Sequence, residues 1–255
     1  MSPIEVIPRR ILARGVRLMV LAAGLYAVLR VIGFHRLFAN DSEGIGALLQ
    51  IIGTLYSVVY AFATYVIWGQ FAAVEDELLK ETGALKDLIL FSKGLKEATR
   101  DPIVRAVRAY ARGVVESEWA VLSRGEDTDR TDKLFDAVIS SVTELKLEND
   151  AELRLHERML EIVTRASSHR DERLAVSAKR MPRTLLFFVT LTAFSILFLL
   201  FFFPFGNLAL GAISIALAAM LLYFANFVLR DLDNPFQGTW NVSVDPFNDL
   251  LAKAR

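Results

Sequence analysis

The sequence predicts an all-α membrane protein with four transmembrane helices and a helical cytoplasmic domain inserted between the second and third, built to assemble as an oligomer. Three observations carry that expectation. Of 255 residues, 54% are hydrophobic while 23% are charged, so the two kinds must be segregated along the chain rather than mixed in one soluble core. Four stretches reach the roughly 20 mostly apolar residues that a helix needs to cross the hydrocarbon with every backbone group bonded internally. Between the second and third of these, apolar residues recur at three- and four-residue spacing among charges, a helical period with little strand signal.

The first span runs from about Arg17 to Phe34 and is interrupted by Arg30, close enough to one end to snorkel toward the headgroups. The basic start and the apolar run Leu18–Leu29 have the outline of a secretory signal, but Arg30 follows at once and no small-residue cleavage site stands at the right distance. The second span, about Ile45 to Trp68, carries Thr54, Ser57, Thr64 and three tyrosines within it. The third, about Thr184 to Phe205, is nearly pure Leu and Phe, and the PFGN turn leads directly into the fourth, about Leu208 to Leu229.

Orientation follows from the basic residues. Arg9, Arg10, Arg14 and Arg17 precede the first span, Lys179, Arg180 and Arg183 precede the third, and Arg230 follows the fourth. The opposite loops carry only Arg36, offset by Asp41 and Glu43. The positive-inside bias therefore places both termini in the cytoplasm of a multi-pass protein of the cell (inner) membrane. The chain divides into residues 1–71 with the first two spans, a cytoplasmic helical domain at 72–182, the third and fourth spans at 183–230, and a cytoplasmic tail at 231–255.

In the cytoplasmic domain, Val74, Leu78, Leu85, Leu88 and Ile89 mark one face of a helix continuing from the second span. Asp101 and Pro102 supply an N-cap and a first-turn proline for the next, which stops before Gly125. A long helical pattern from Asp132 to Lys179, broken near 146–150, carries Leu145, Leu153, Leu155, Met159, Leu160, Ile162 and Val163, and Pro182 ends it. The domain's 19 basic and 22 acidic residues stand in mixed order, which reads as solvated helix faces laced with weak ion pairs.

Lys and Arg total 29, as do Asp and Glu, so there is no basic footprint and a nucleic-acid partner is not expected. The chain has no cysteine, which excludes disulfides, thiolate metal sites and thiol nucleophiles. No phosphate-cradling glycine loop, nucleophile elbow or paired histidines appear, and Glu75/Glu77 and Glu116/Glu118 fall on different helix faces. Neither an enzymatic activity nor a cofactor or metal site is expected.

Four stretches carry a family likeness: VVYAFATYVIWGQFAAVEDELLKETGALKDL, RAYARGVVESEW, RDERLAVSAKRMP and DLDNPFQGTWNVSVDPF. In order and spacing over residues 45–250 they resemble the bestrophin-like family of bacterial membrane proteins, distant relatives of the bestrophin anion channels. The resemblance implies a homopentamer of four-span subunits in the lipid bilayer, passing small inorganic ions such as chloride, with the second helix lining the pore. Ala61-Phe62 resembles the Gly-Phe pair of the bestrophin neck, which implies a pore-lining stripe of Thr54, Val58 and Phe62. An apolar ring of that kind gates by dewetting, and aromatic edges tolerate an anion.

Two other stripes of the same helix compete for the axis: small Gly53, Ser57 and Ala61, suited to close helix contact, and the more polar Tyr56, Tyr60, Thr64 and Trp68. Their hydroxyls leave cation conduction open as an alternative, and a non-conducting membrane scaffold or sensor keeps the same architecture. After Asn234-Pro235-Phe236 the sequence departs from the acidic calcium-binding run of bestrophins, so calcium gating is not implied.

Overall fold

The structure is a computed structural model that describes residues 9–253 apart from Gly125, Asp127 and Glu148. Among the described residues it is all-helical. The chain forms two compact units, one of residues 1–68 and 181–233, the other of residues 69–180 and 234–255.

The first unit is built from four helices, each long and apolar enough to cross a membrane: α1 (Arg9–Val31), the start of α2 (Ser42–Ser92), α7 (Arg183–Phe202) and α8 (Leu208–Leu232). Helix α1 begins two turns earlier than hydropathy alone gives, because its arginines are compatible with helix even where they are too polar for hydrocarbon. Arg30 lies in its last turn, half-buried. Gly33, at φ 80, turns the chain into a 3-10 segment, Phe34–Asp41. Asn207 caps α8 by accepting the Ala209 N–H at 2.7 Å.

Helices α1 and α8 pack closely where small residues meet large ones. Tyr26 is buried against Ile215 and Ala219, and its ring lies directly over Gly211, where a Cβ would fall 2.2 Å from the Tyr26 hydroxyl. Ala63 and Ile67 of α2 pack with Val189 of α7 and Leu229 and Leu232 of α8.

The second unit contains the rest of α2, α3 (Glu97–Gly113), a π-helical turn Val114–Glu118, α4 (Trp119–Ser123), α5 (Asp129–Thr143), α6 (Asp150–Ala178) and α9 (Asp245–Lys253). Helix α3 starts at Glu97, not at the Asp101-Pro102 pair, so Pro102 sits inside the helix and leaves the Ala98 carbonyl without its usual donor. Upstream of this start Leu95 is buried in the core, and the Lys96 carbonyl accepts from the Thr99 and Arg100 N–H groups. The expected break before α6 falls at residues 144–149, where Asn149 caps α6 by accepting the Glu152 N–H at 2.9 Å.

The core of this unit joins Leu78, Leu85 and Leu88 of α2, Ile103 and Val107 of α3, Val138 and Val142 of α5, and Met159, Ile162 and Ala166 of α6. Leu153, placed on the apolar stripe by spacing, is exposed. The segment after the last apolar helix does not stand apart as a tail: Phe236, Val242, Phe247 and Leu250 are buried in this same core. Asn234 anchors it by donating to the Ser123 carbonyl at 2.9 Å and accepting the Phe236 N–H.

Candidate functional site

Helix α2 presents distinct faces within the first unit. Tyr56, Val59 and Tyr60 are partly buried against the cluster around Ala63 and Ile67. The Tyr60 hydroxyl donates to the Ala225 carbonyl of α8 at 3.3 Å, and the Tyr56 ring stacks on Tyr60 with centroids 5.6 Å apart. Thr64 turns its hydroxyl back to the Tyr60 carbonyl at 2.8 Å. Of this most polar stripe, Tyr56 and Tyr60 thus pack against their own chain and Thr64 bonds within its own helix, while Trp68 is exposed.

The residues expected at a pore lie on the other side. Thr54, Val58 and Phe62 are all exposed in the single chain, Val58 by 63% and Phe62 by 61%. Thr54 satisfies its hydroxyl within the helix by donating to the Gln50 carbonyl at 2.8 Å. Ser57 and Ala61 are exposed as well, and a Cβ on Gly53 would meet nothing within 4 Å. Two of the three stripes distinguishable in the sequence therefore remain open.

The second unit holds a feature that the sequence reading missed. Arg173 of α6 and Glu81 of α2 are fully buried, with Arg173 Nε 2.6 Å from Glu81 Oε2. Glu118, in the π-helical turn, is buried too, with Oε1 2.7 Å from Arg173 Nη1, a close contact that is not aligned as a hydrogen bond. Arg170 reaches Asp132 at 2.5 Å and lies 3.6 Å from Glu118. The Tyr110 hydroxyl donates to Glu81 Oε1 and accepts from Arg170 Nε at 3.1 Å. The Arg173 guanidinium also lies over the Trp119 and Phe247 rings, 5.7 and 5.9 Å from their centroids.

Burial sets the electrostatics of this cluster. It pushes the Tyr110 hydroxyl well above its ordinary value, with the Glu81 carboxylate adding to the effect. Burial alone would lower Arg173, but the Glu81 and Glu118 carboxylates outweigh it and hold the guanidinium charged. The two charged arginines stand among three carboxylates and tie α2, the π-helical turn, α5 and α6 together. Among the described residues no group of three or more His, Cys, Asp and Glu could hold a metal ion.

The cluster's members fall inside the motifs that carried the family likeness: Glu81 in VEDELLKETGALKDL, Tyr110, Glu118 and Trp119 in RAYARGVVESEW, Arg170 and Arg173 in RDERLAVSAKRMP. The family model of the Bestrophin-like domain matches residues 16–247. The chain belongs to the Bestrophin-like family. No curated protein matches it significantly. Solved structures of a bacterial bestrophin homologue from Klebsiella pneumoniae share the Bestrophin-like fold at low identity. One substitution variant superposes with a TM-score of 0.74 at 12% identity, covering 97% of this chain and 98% of that one. Another gives 0.72 at 11% identity, covering 94% and 97%.

Proposed function

We propose that this chain is the subunit of an oligomeric, pentameric ion channel of the inner membrane, passing small anions such as chloride along an axis surrounded by α2. One observation supports the assignment most directly: α2 turns Tyr56, Tyr60, Ala63 and Ile67 onto its own chain and leaves Thr54, Val58 and Phe62 uncovered. A helix exposing a stripe of this kind in one subunit offers it to copies of itself, and five heterologous contacts close a ring.

In that ring Thr54, Val58 and Phe62 face the axis. The adjacent stripe Gly53, Ser57 and Ala61 has the small side chains that let neighbouring α2 helices approach. Val58 and Phe62 form apolar collars that gate by dewetting, and the positive edge of the Phe62 ring favours an anion over a cation. In this reading both termini and the 69–180 unit lie on the cytoplasmic side, a placement that the arginines around the span ends support. Catalysis has no part in this reading.

The test is reconstitution of the purified oligomer into planar bilayers with asymmetric KCl. A reversal potential toward the chloride equilibrium value is expected. A reversal toward potassium assigns the pore to cations, and no current from a verified oligomer leaves a membrane scaffold.

A further inference from the structure

A groove of about 420 Å³ runs along the first unit between α1, α7 and α8. One part of its lining is apolar: Leu18 of α1, Phe194 and Leu197 of α7, and Ala219, Leu222 and Phe227 of α8. Two arginines, Arg14 and Arg230, line the rest. Both belong to the basic ends of their helices, Arg14 in the second turn of α1 and Arg230 in the last turn of α8.

Two of the polar side chains between these regions are already satisfied. Asn226 donates to the Leu222 carbonyl at 3.0 Å, and Thr190 donates to the Leu186 carbonyl at 2.8 Å and lies 3.2 Å from Asn226 Oδ1. By contrast, no acidic residue lines the groove, and neither Arg14 nor Arg230 forms an ion pair among the described residues. Two uncompensated guanidiniums beside an apolar slot define a ligand with one anionic end and one apolar end.

We propose that the groove is a binding site for an anionic phospholipid, its phosphate held by Arg14 and Arg230 and one acyl chain lying against Leu18, Phe194, Leu197 and Leu222. The charge complementarity selects an anionic headgroup over a zwitterionic one, since a choline ammonium would be placed beside two arginines. The volume fits the inner part of a single chain, with the remainder of the lipid in the bilayer. This site requires the membrane embedding of α1, α7 and α8 but not conduction, so its failure and that of a channel are separately visible.

The experiment uses the full chain in mild detergent, titrated with phosphatidylglycerol, with phosphatidylcholine of the same chains, and with inorganic phosphate. Adducts are counted by native mass spectrometry, and Tm is followed in parallel. Phosphatidylglycerol is expected to bind about tenfold or more tightly than phosphatidylcholine and to raise Tm, and inorganic phosphate to do neither. Replacing both arginines (Arg14→Gln with Arg230→Gln) is expected to abolish that preference while leaving the weak phosphatidylcholine adducts and the oligomeric state unchanged. Equal affinity for the two lipids in the wild type overturns the proposal, with no variant needed. Inorganic phosphate stabilising as well as the lipid overturns the acyl-chain half of it. A preference that persists in the double variant moves the anionic site elsewhere.

Discussion

Arg173 Nε lies 2.6 Å from Glu81 Oε2, with both side chains fully buried, and the same guanidinium approaches Glu118, buried on a third segment. One cation thus stands between two carboxylates that would otherwise repel in a medium of low dielectric. A buried pair of this kind contributes little net stability against an apolar replacement of all its members, but removing one member leaves a charge without compensation.

Replacing Arg173 by Met should accordingly destabilise the protein by about 3–5 kcal/mol, since buried Glu81 keeps only the Tyr110 hydroxyl and buried Glu118 only the more distant Arg170. Adding Glu81→Gln and Glu118→Gln to the same chain should recover a large part of the loss. Chemical denaturation of the detergent-solubilised protein followed by circular dichroism measures both. A near-neutral Arg173→Met would contradict the buried geometry.

The α1–α8 contact makes a prediction in two directions. A methyl at Gly211 collides with Tyr26, whose ring is buried and has no room to swing away, so Gly211→Ala should cost about 1–3 kcal/mol by forcing the helices apart. The Tyr26 hydroxyl is buried with no hydrogen-bond partner among the described residues, so Tyr26→Phe should be neutral or raise Tm by a few degrees. Thermal unfolding of the two variants side by side checks the pair, and a Tyr26→Phe loss comparable to that of Gly211→Ala would refute it.

Glu77 contributes to acid sensitivity. Burial tends to raise its carboxyl, but hydrogen bonds from Lys80 and from His169 outweigh that and hold it below the ordinary glutamate range. A depressed folded-state value means stability that is fully present above the unfolded value and is lost as pH falls through the folded one. The Tm advantage of wild type over Glu77→Gln should therefore be constant at neutral pH and shrink below about pH 4.5. An advantage that grows on acidification has the wrong sign for this pair.

Because the chain contains no cysteine, single introduced thiols report on α2 without background. Val58→Cys and Phe62→Cys in reconstituted channels should lose most of their current on treatment with a charged, water-soluble thiol reagent. Ala63→Cys, on the face packed against α7 and α8, should be unaffected. Block at Ala63 with none at Val58 would place a different face of the helix at the axis.

Part of the buried cluster was visible in the sequence. Val74, Leu78, Leu85 and Leu88 follow a four-three spacing whose missing member is Glu81, and Arg170 and Arg173 continue the stripe of Met159, Ile162, Val163 and Ala166. A charge at an apolar-stripe position marks a buried charge, and that signal was lost among the many solvated charges of the same helices. Tyr110 and Glu118 extend the stripe of Ile103, Val107 and Val114 in the same way. What no spacing could give is which partner each one meets, because Glu81 and Arg173 are 92 residues apart.

The four apolar helices were determined by the sequence alone. A backbone in hydrocarbon can satisfy its hydrogen bonds only within its own segment, so length and hydropathy suffice to locate them. Caps such as Asn149 and Asn207 are equally local, each bonding an amide two or three residues away. Tertiary structure decided the matters that depend on a neighbour: that α3 starts at Glu97 with Leu95 buried upstream, that the chain after Asn234 completes a core, and that Tyr56 and Tyr60 turn toward α8 while Val58 and Phe62 do not. Periodicity distinguishes the faces of a helix, but which face is covered is a property of what packs against it.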